Sequence, residues 1–329
     1  MAWDAFSLVV PDIFIDTMGY AFATGLCKLL FRNVPTCAYV HYPTISTDML
    51  KSLDPSSTAR GVNAGKGVGA AGRVKKLYWN LFAALYSRMG SSIDVVMTNS
   101  SWTQHHIQAL WGPHRPHSAA PISVVYPPVA VRELEREIDV TSAAEVSQRR
   151  KDLLYIAQFR PEKDHGLILA AFSEFVKSNT SASRGARLIF LGSVRDDGDR
   201  KRVYKLRLLA NELGIRDEVE FCINVSWSEI LLWLQTSSVG VNGMWNEHFG
   251  IGVVEYQAAG LISVVHDSGG PKMDIVTEVD GGPTGEISFL QLSLFLLCVS
   301  LTNQLFKYRF SRVHGARIRR GVREGVVPK

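Results

Sequence analysis

Apolar residues fall along most of the chain in short β-type runs separated by stretches of helical spacing. Residues 12–16 read as a short strand after an apolar lead, 19–31 as a helix and 36–41 as a second strand. Residues 45–72 are rich in Ser and Gly and read as a long polar loop. Helical spacing returns over 73–89, where Leu77, Leu81, Ala84 and Leu85 recur at turn intervals. A strand over 93–98, a helix over 102–111 and a strand over 122–126 follow, closed by Pro127-Pro128. The stretch 131–150 is charged, lacks a strong apolar pattern and reads as a linker. Alternation then resumes, with strands predicted at 153–157, 187–191, 219–223, 239–242 and 262–266. Helices are predicted at 165–177, 200–213, 226–235 and from Gly252 onward. Strand and helix in alternation make a mostly parallel sheet covered on both faces. The expected fold class is α/β, with domains at 1–130 and 151–286, a linker at 131–150 and a divergent tail at 287–329.

Composition narrows the class. Of 329 residues, 46% are hydrophobic and 20% charged, which is globular rather than disordered. The net charge of +5 is misleading, because 302–329 alone holds eight Lys/Arg and one acidic residue. The other 301 residues carry 28 basic against 30 acidic side chains, so no nucleic-acid-binding surface is expected. Cys27, Cys37, Cys222 and Cys298 sit on apolar stretches without a CxxC and read as buried thiols of a reducing compartment. No signal peptide is evident, and no apolar run reaches the roughly 20 residues of a spanning helix. The greasiest stretch, 287–301, is interrupted by Gln291 and several serines.

The chemistry concentrates in residues 246–260, NEHFGIGVVEYQAAG. Glu247 and Glu255 stand eight apart around a Gly250-Ile251-Gly252 turn that opens an apolar helix. A helix start offers unpaired N–H groups and a positive dipole end, a seat for phosphate. Carboxylates beside it suit sugar hydroxyls. From spacing alone, two solvated glutamates near a loop is the commoner outcome. Arg160 and Lys163 follow a strand and would stabilise charge on a departing phosphate; a solvated basic turn has even odds on spacing alone. Gly192, Asn224 and Gly269-Gly270 also follow strands, so several polar motifs converge on one sheet edge.

Other patterns carry less. Gly67–Gly72 matches GxGxxG but follows a polar loop instead of a strand, and 61–66 falls short of a phosphate-binding loop. His105, His106, His114 and His117 lack supporting carboxylates and read as solvated. Asn99, Asn179 and Asn224 head glycosylation sequons without a secretory context.

Residues 247–255, EHFGIGVVE, resemble the E-x7-E element of the retaining glycosyltransferases of GT-B fold. Residues 39–50 (YVHYPTISTDML), 99–107 (NSSWTQHHI), 157–166 (AQFRPEKDHG), 191–195 (LGSVR) and 268–275 (SGGPKMDI) resemble more narrowly the eukaryotic alpha-1,2-mannosyltransferases of the dolichol-linked N-glycan precursor. The resemblance runs from about residue 10 to 276. It implies two Rossmann-like doubly wound domains facing a cleft, the amino-terminal one incomplete and on the acceptor side. It implies transfer of alpha-1,2-linked mannose from GDP-mannose to a dolichol-diphosphate oligosaccharide, by front-face attack with the leaving phosphate as base. On this resemblance Arg160 and Lys163 stabilise the leaving diphosphate and Glu247 lies by the donor sugar. Glu255 holds the ribose, the backbone of Phe249, Gly250 and Ile251 completes the phosphate seat, and Gly192 and Asn224 line it. His41 would face the sugar from the other domain. Neither a metal nor another cofactor is implied. The implied setting is the cytosolic face of the endoplasmic reticulum membrane, with the membrane surface and other mannosyltransferases of the route as partners. Two alternatives stay open: a sibling transferase with another donor or linkage, and an inactive GDP-sugar-binding fragment.

Overall fold

The computed structural model describes residues 2–52, 69–140, 147–279 and 282–288. The chain divides at Pro127/Pro128 into two compact units.

Unit 1 is built on four parallel strands in sequential order: β1 (Phe14–Asp16), β2 (Thr36–Val40), β3 (Val95–Thr98) and β4 (Ser123–Val124). Its helices are α1 (Ala2–Leu8), α2 (Ala21–Leu30), α3 (Thr47–Ser52), α4 (Gly69–Ser91) and α5 (Ser101–Trp111). Val40, Ile45, Tyr86, Ile93, Val96, Ile107 and Trp111 form its core, all but solvent-free. α3 corrects the expected continuous loop at 45–72: Ile45 is fully buried, and Met49 and Leu50 pack on this core. Gly67 and the stretch 61–66 lie outside the described residues.

Unit 2 holds a six-stranded sheet of order β12-β9-β8-β5-β6-β7, parallel throughout. Its strands are β5 (Arg150–Ile156), β6 (Arg187–Gly192), β7 (Val219–Ile223), β8 (Ser237–Asn242), β9 (Ile262–His266) and β12 (Glu286–Ser288), with a small hairpin of β10 (Glu278–Val279) and β11 (Gly282–Pro283). The helices are α6 (Val131–Glu137), α7 (His165–Lys177), α8 (Asp197–Glu212), α9 (Trp227–Thr236) and α10 (Ile251–Ala258). Alternate strand residues serve opposite faces, as a pleated strand requires. Leu153, Tyr155, Leu188 and Phe190 pack with Ile168, Phe172 and Val203 of α7 and α8. Leu154, Ile189 and Leu191 pack with Leu134, Leu234 and Tyr256 of α6, α9 and α10. α6 departs from the linker expected at 131–150: Leu134 and Ile138, one helical turn apart, are buried in this second cluster. The apolar stretch beyond residue 288, Cys298 and the basic tail lie outside the described residues.

Candidate functional site

Unit 2's sheet reverses its winding between β5 and β8, since β6 and β7 lie on one side of β5 and β8, β9 and β12 on the other. Sheets of this kind open a crevice at the carboxyl ends of the two diverging strands. The turn after β5 and the loop after β8 meet there. Lys163 Nζ stands 2.5 Å from Glu247 Oε2, and the two side chains are only 22% and 14% exposed.

The turn after β5 is fastened at several points. Phe159 is fully buried, and its carbonyl accepts from Arg202 Nε at 3.1 Å. Pro161–Lys163 forms a short 3-10 turn, and Asp164 takes the left-handed conformation at φ 45°. The Asp164 carboxylate then caps α7 by accepting from the Leu167 N–H at 3.2 Å. The Lys163 carbonyl accepts from the Tyr155 hydroxyl at 2.6 Å. Arg160 has only a loose ion pair, Nη1 to Glu162 Oε1 at 3.8 Å, and its Nε is buried without a hydrogen bond. Among the described residues no other group accepts from its guanidinium.

The loop after β8 is backed by the loop after β9. Asn246, at φ 53°, donates its N–H to Ser268 Oγ at 2.8 Å, and the Gly270 N–H donates to the Glu247 carbonyl at 2.7 Å. A Cβ on Gly269 would sit 2.3 Å from the Glu247 carbonyl oxygen, so only glycine permits this contact. Gly250, at φ 106°, precedes α10 as its N-cap and offers no side-chain cap, which leaves first-turn N–H groups for a ligand. The Phe249 side chain is buried with Val253, Val265 and Ile275, and its backbone lies close against Gly270, while Ile251 is exposed. Glu255, one turn into α10, makes no side-chain hydrogen bond or ion pair among the described residues, and burial pushes its carboxyl above the usual range.

Gly192 and Asn224 brace neighbouring loops. A Cβ on Gly192 would meet the Ala157 carbonyl oxygen at 2.0 Å. Asn224, left-handed at φ 53°, spends Oδ1 on the Val194 N–H at 2.9 Å. His41 follows β2 in unit 1, exposed, its ring edge-on to Tyr39 at 4.7 Å. It belongs to a different unit from the other nine residues. His106, expected to be solvated, is buried, with Nδ1 2.7 Å from Thr47 Oγ1. Among the described residues no group of three or more His, Cys, Asp or Glu is placed to hold a metal ion.

Sequence reasoning missed Tyr155, Arg202 and Tyr256. The Tyr256 hydroxyl accepts from the Ile156 N–H at 2.7 Å and donates to the Val241 carbonyl at 3.3 Å, bridging β5 and β8 at the crevice. Tyr155 and Arg202 lie on no motif, and Tyr256, though within 246–260, reads there as one more apolar position of the helix.

Of the residues singled out in the sequence, the structure brings Lys163 and Glu247 into direct contact, with Arg160 on the same turn as Lys163 and Glu255 one turn into the helix that follows Glu247. Residues 1–111 match the family model described as ALG11 mannosyltransferase N-terminus, and 139–285 match that of glycosyl transferases group 1. A Neurospora crassa protein named GDP-Man:Man(3)GlcNAc(2)-PP-Dol alpha-1,2-mannosyltransferase is 69% identical over 296 residues, covering 87% of this chain and 53% of the relative. A Homo sapiens protein of the same name is 40% identical over 293 residues, covering 87% and 56%. The chain spans about half the length of these curated relatives. Among solved structures, Anabaena Alr3699/HepE in complex with UDP and glucose superposes with a TM-score of 0.64 at 13% identity, covering 95% of this chain and 74% of that one. A Burkholderia multivorans alpha,alpha-trehalose 6-phosphate synthase gives 0.65 at 13% identity, covering 98% and 70%. The fold is the expected GT-B class. Residues 139–285 thus carry a group 1 glycosyl transferase domain, preceded over residues 1–111 by one of the ALG11 mannosyltransferase N-terminus type.

Proposed function

We propose that this chain binds GDP-mannose in unit 2 and serves transfer of alpha-1,2-linked mannose to a dolichol-diphosphate-linked oligosaccharide. The observation that carries the reading is the Lys163–Glu247 contact at the switch point, beside Arg160 and the uncapped start of α10. Donor and acceptor identities rest on the names of the relatives. Arg160, Lys163 and the α10 amides take the diphosphate, where charge grows as the bond from the anomeric carbon to the phosphate oxygen breaks. The acceptor oxygen bonds to that carbon from the same face, and its proton passes to the departing phosphate. Glu247 orients the sugar, and Glu255 accepts from ribose hydroxyls. The chemistry assigned here needs no metal.

The proposed setting is the cytosolic face of the endoplasmic reticulum membrane, alongside other transferases of the route. One surface of unit 1 supports contact with a membrane. α4 exposes Val74, Leu77, Tyr78, Leu81 and Leu85 and carries Arg73, Lys75, Lys76 and Arg88 with no acidic residue. That combination suits an interfacial helix on anionic lipid. Among the described residues no helix is long and apolar enough to cross a membrane.

The test is transfer of radiolabelled mannose from GDP-mannose to a dolichol-diphosphate oligosaccharide, with linkage analysis of the product. Transfer lost in Lys163→Ala supports the reading. Turnover with UDP-glucose and none with GDP-mannose overturns it.

A further inference from the structure

Arg160 and Lys163 are useful to a diphosphate only if the turn that bears them is held still, and that turn lies on the protein's surface. Its rigidity comes from beneath. The Tyr155 side chain is 1% exposed on β5, and its hydroxyl donates to the Lys163 carbonyl at 2.6 Å. Its ring is boxed by His165 at 5.0 Å and Phe190 at 6.0 Å, so the hydroxyl has little freedom to move. At the turn's other end Arg202, on α8, donates Nε to the Phe159 carbonyl at 3.1 Å. Phe159 in turn stacks on His165, the first residue of α7, at 4.9 Å. Both carbonyls therefore receive a side-chain donor from elsewhere in unit 2, one on each side of Arg160–Lys163.

We propose that Tyr155 is a positioning residue for the diphosphate, acting through the Lys163 carbonyl to fix where the Lys163 ammonium stands, with Arg202 doing the same at Phe159. The inference rests on the reading of this crevice as a nucleoside-diphosphate site. It adds two residues that touch no ligand yet set affinity for the second phosphate. Tyr155→Phe keeps the ring in its box and removes its donor to the part-buried Lys163 carbonyl.

The experiment is calorimetric titration of the full chain with GDP and with GMP, for the parent, Tyr155→Phe, Lys163→Ala and the double variant. Loss of one such hydrogen bond corresponds to roughly a 3- to 10-fold change in affinity. Tyr155→Phe is expected to weaken GDP by that factor, to leave GMP unchanged, and to add nothing once Lys163 is Ala. A general loss of stability would weaken both nucleotides or lower the melting temperature without this selectivity. Unchanged GDP affinity in a folded Tyr155→Phe, or an effect that persists in the Lys163→Ala background, overturns the inference alone. Equal GDP binding by parent and Lys163→Ala overturns the diphosphate reading and the inference with it. Should Tyr155→Phe fail to fold, Arg202→Met gives the same comparison from the other end of the turn, and equal loss of GDP and GMP there overturns the inference.

Discussion

Replacing Glu247 by Gln should tighten GDP while slowing transfer, an opposition that a simple contact between Glu247 and the nucleotide does not produce. Glu247 pairs with Lys163, at 2.5 Å and largely out of solvent. A diphosphate approaching Lys163 has to displace this carboxylate or sit beside its charge. At an effective dielectric near 20 the gross attraction at this distance is about 7 kcal/mol, most of it offset by desolvation. Exposed pairs are worth about 1 kcal/mol or less, and breaking a fully buried one costs about 3–5 kcal/mol. A pair that is mostly shielded but at the rim of a crevice falls between, near 2 kcal/mol by the same bounds. GDP supplies its own negative charge and recovers only part of that difference. Glu247→Gln, which removes the competing charge and keeps the shape, should therefore bind GDP about 5- to 30-fold more tightly. Transfer should fall by about 10- to 100-fold, since a charged hydrogen bond to the sugar is replaced by a neutral one. Calorimetry with GDP and a transfer assay on the same preparation measure both. GDP binding that is unchanged or weaker in the variant refutes the competition between Glu247 and the diphosphate for Lys163.

Glu255→Gln should raise the melting temperature at neutral pH. Burial raises the carboxyl's pKa in the folded chain, so the native state holds its proton more tightly than the unfolded one. Stability from this group is fullest below the ordinary glutamate range and declines as pH rises through the raised value. Scanning calorimetry across pH checks it, and a variant melting below the parent at pH 7 contradicts it. His165 behaves oppositely: burial depresses its pKa from 6.5 to about 4, so the native chain refuses a proton that the unfolded chain accepts. Stability should fall by roughly 3 kcal/mol as pH drops from 6.5 toward 4, and His165→Phe, whose ring suits the surrounding aromatic box, should abolish most of that loss in urea titrations. Gly192→Ala should destabilise unit 2 by about 1–3 kcal/mol or more, because its methyl would land 2.0 Å from the Ala157 carbonyl oxygen; an unchanged urea midpoint would contradict this.

Much of unit 2 was legible because its strands are short apolar runs and its helices keep their period. The helix start at Gly250–Gly252 was legible for a local reason, since a Gly-Ile-Gly turn before small apolar residues fits few other structures, whereas the roles of Glu247 and Glu255 came from the resemblance. What escaped was of two kinds. α6 offers only Leu134 and Ile138 as core residues within a charged segment, too little pattern to outweigh a linker. α3 likewise has little beyond Met49 and Leu50 to signal it. The other kind is contact across long separations. Lys163 and Glu247 are 84 residues apart in sequence. Nothing local says that they pair, and the resemblance assigned each a ligand rather than each other. Tyr155 reads as a core aromatic, which it is, and only the position of its hydroxyl makes it more.

Tyr256 shows why the crevice opens where it does. Paired strands hold each other by a ladder of backbone bonds, and a ligand site at their ends requires the ladder to stop without leaving buried groups unmatched. The last register partners of β5 and β8 are Leu154 and Gly240. Beyond them the Ile156 N–H and the Val241 carbonyl turn to the Tyr256 hydroxyl, which accepts from one and donates to the other. A single side chain from α10 thereby ends the pairing and satisfies both groups. Gly240 has to be glycine for this, because a Cβ there would stand 2.2 Å from Tyr256 Cγ. The same contact fixes the rotation of α10 about its axis, so the neighbouring Glu255 is aimed by the residue that separates the strands. The parting of β5 and β8 and the placement of Glu255 are one structural event, which makes the Tyr256–Gly240 contact as much a part of the site as the charged groups at its mouth.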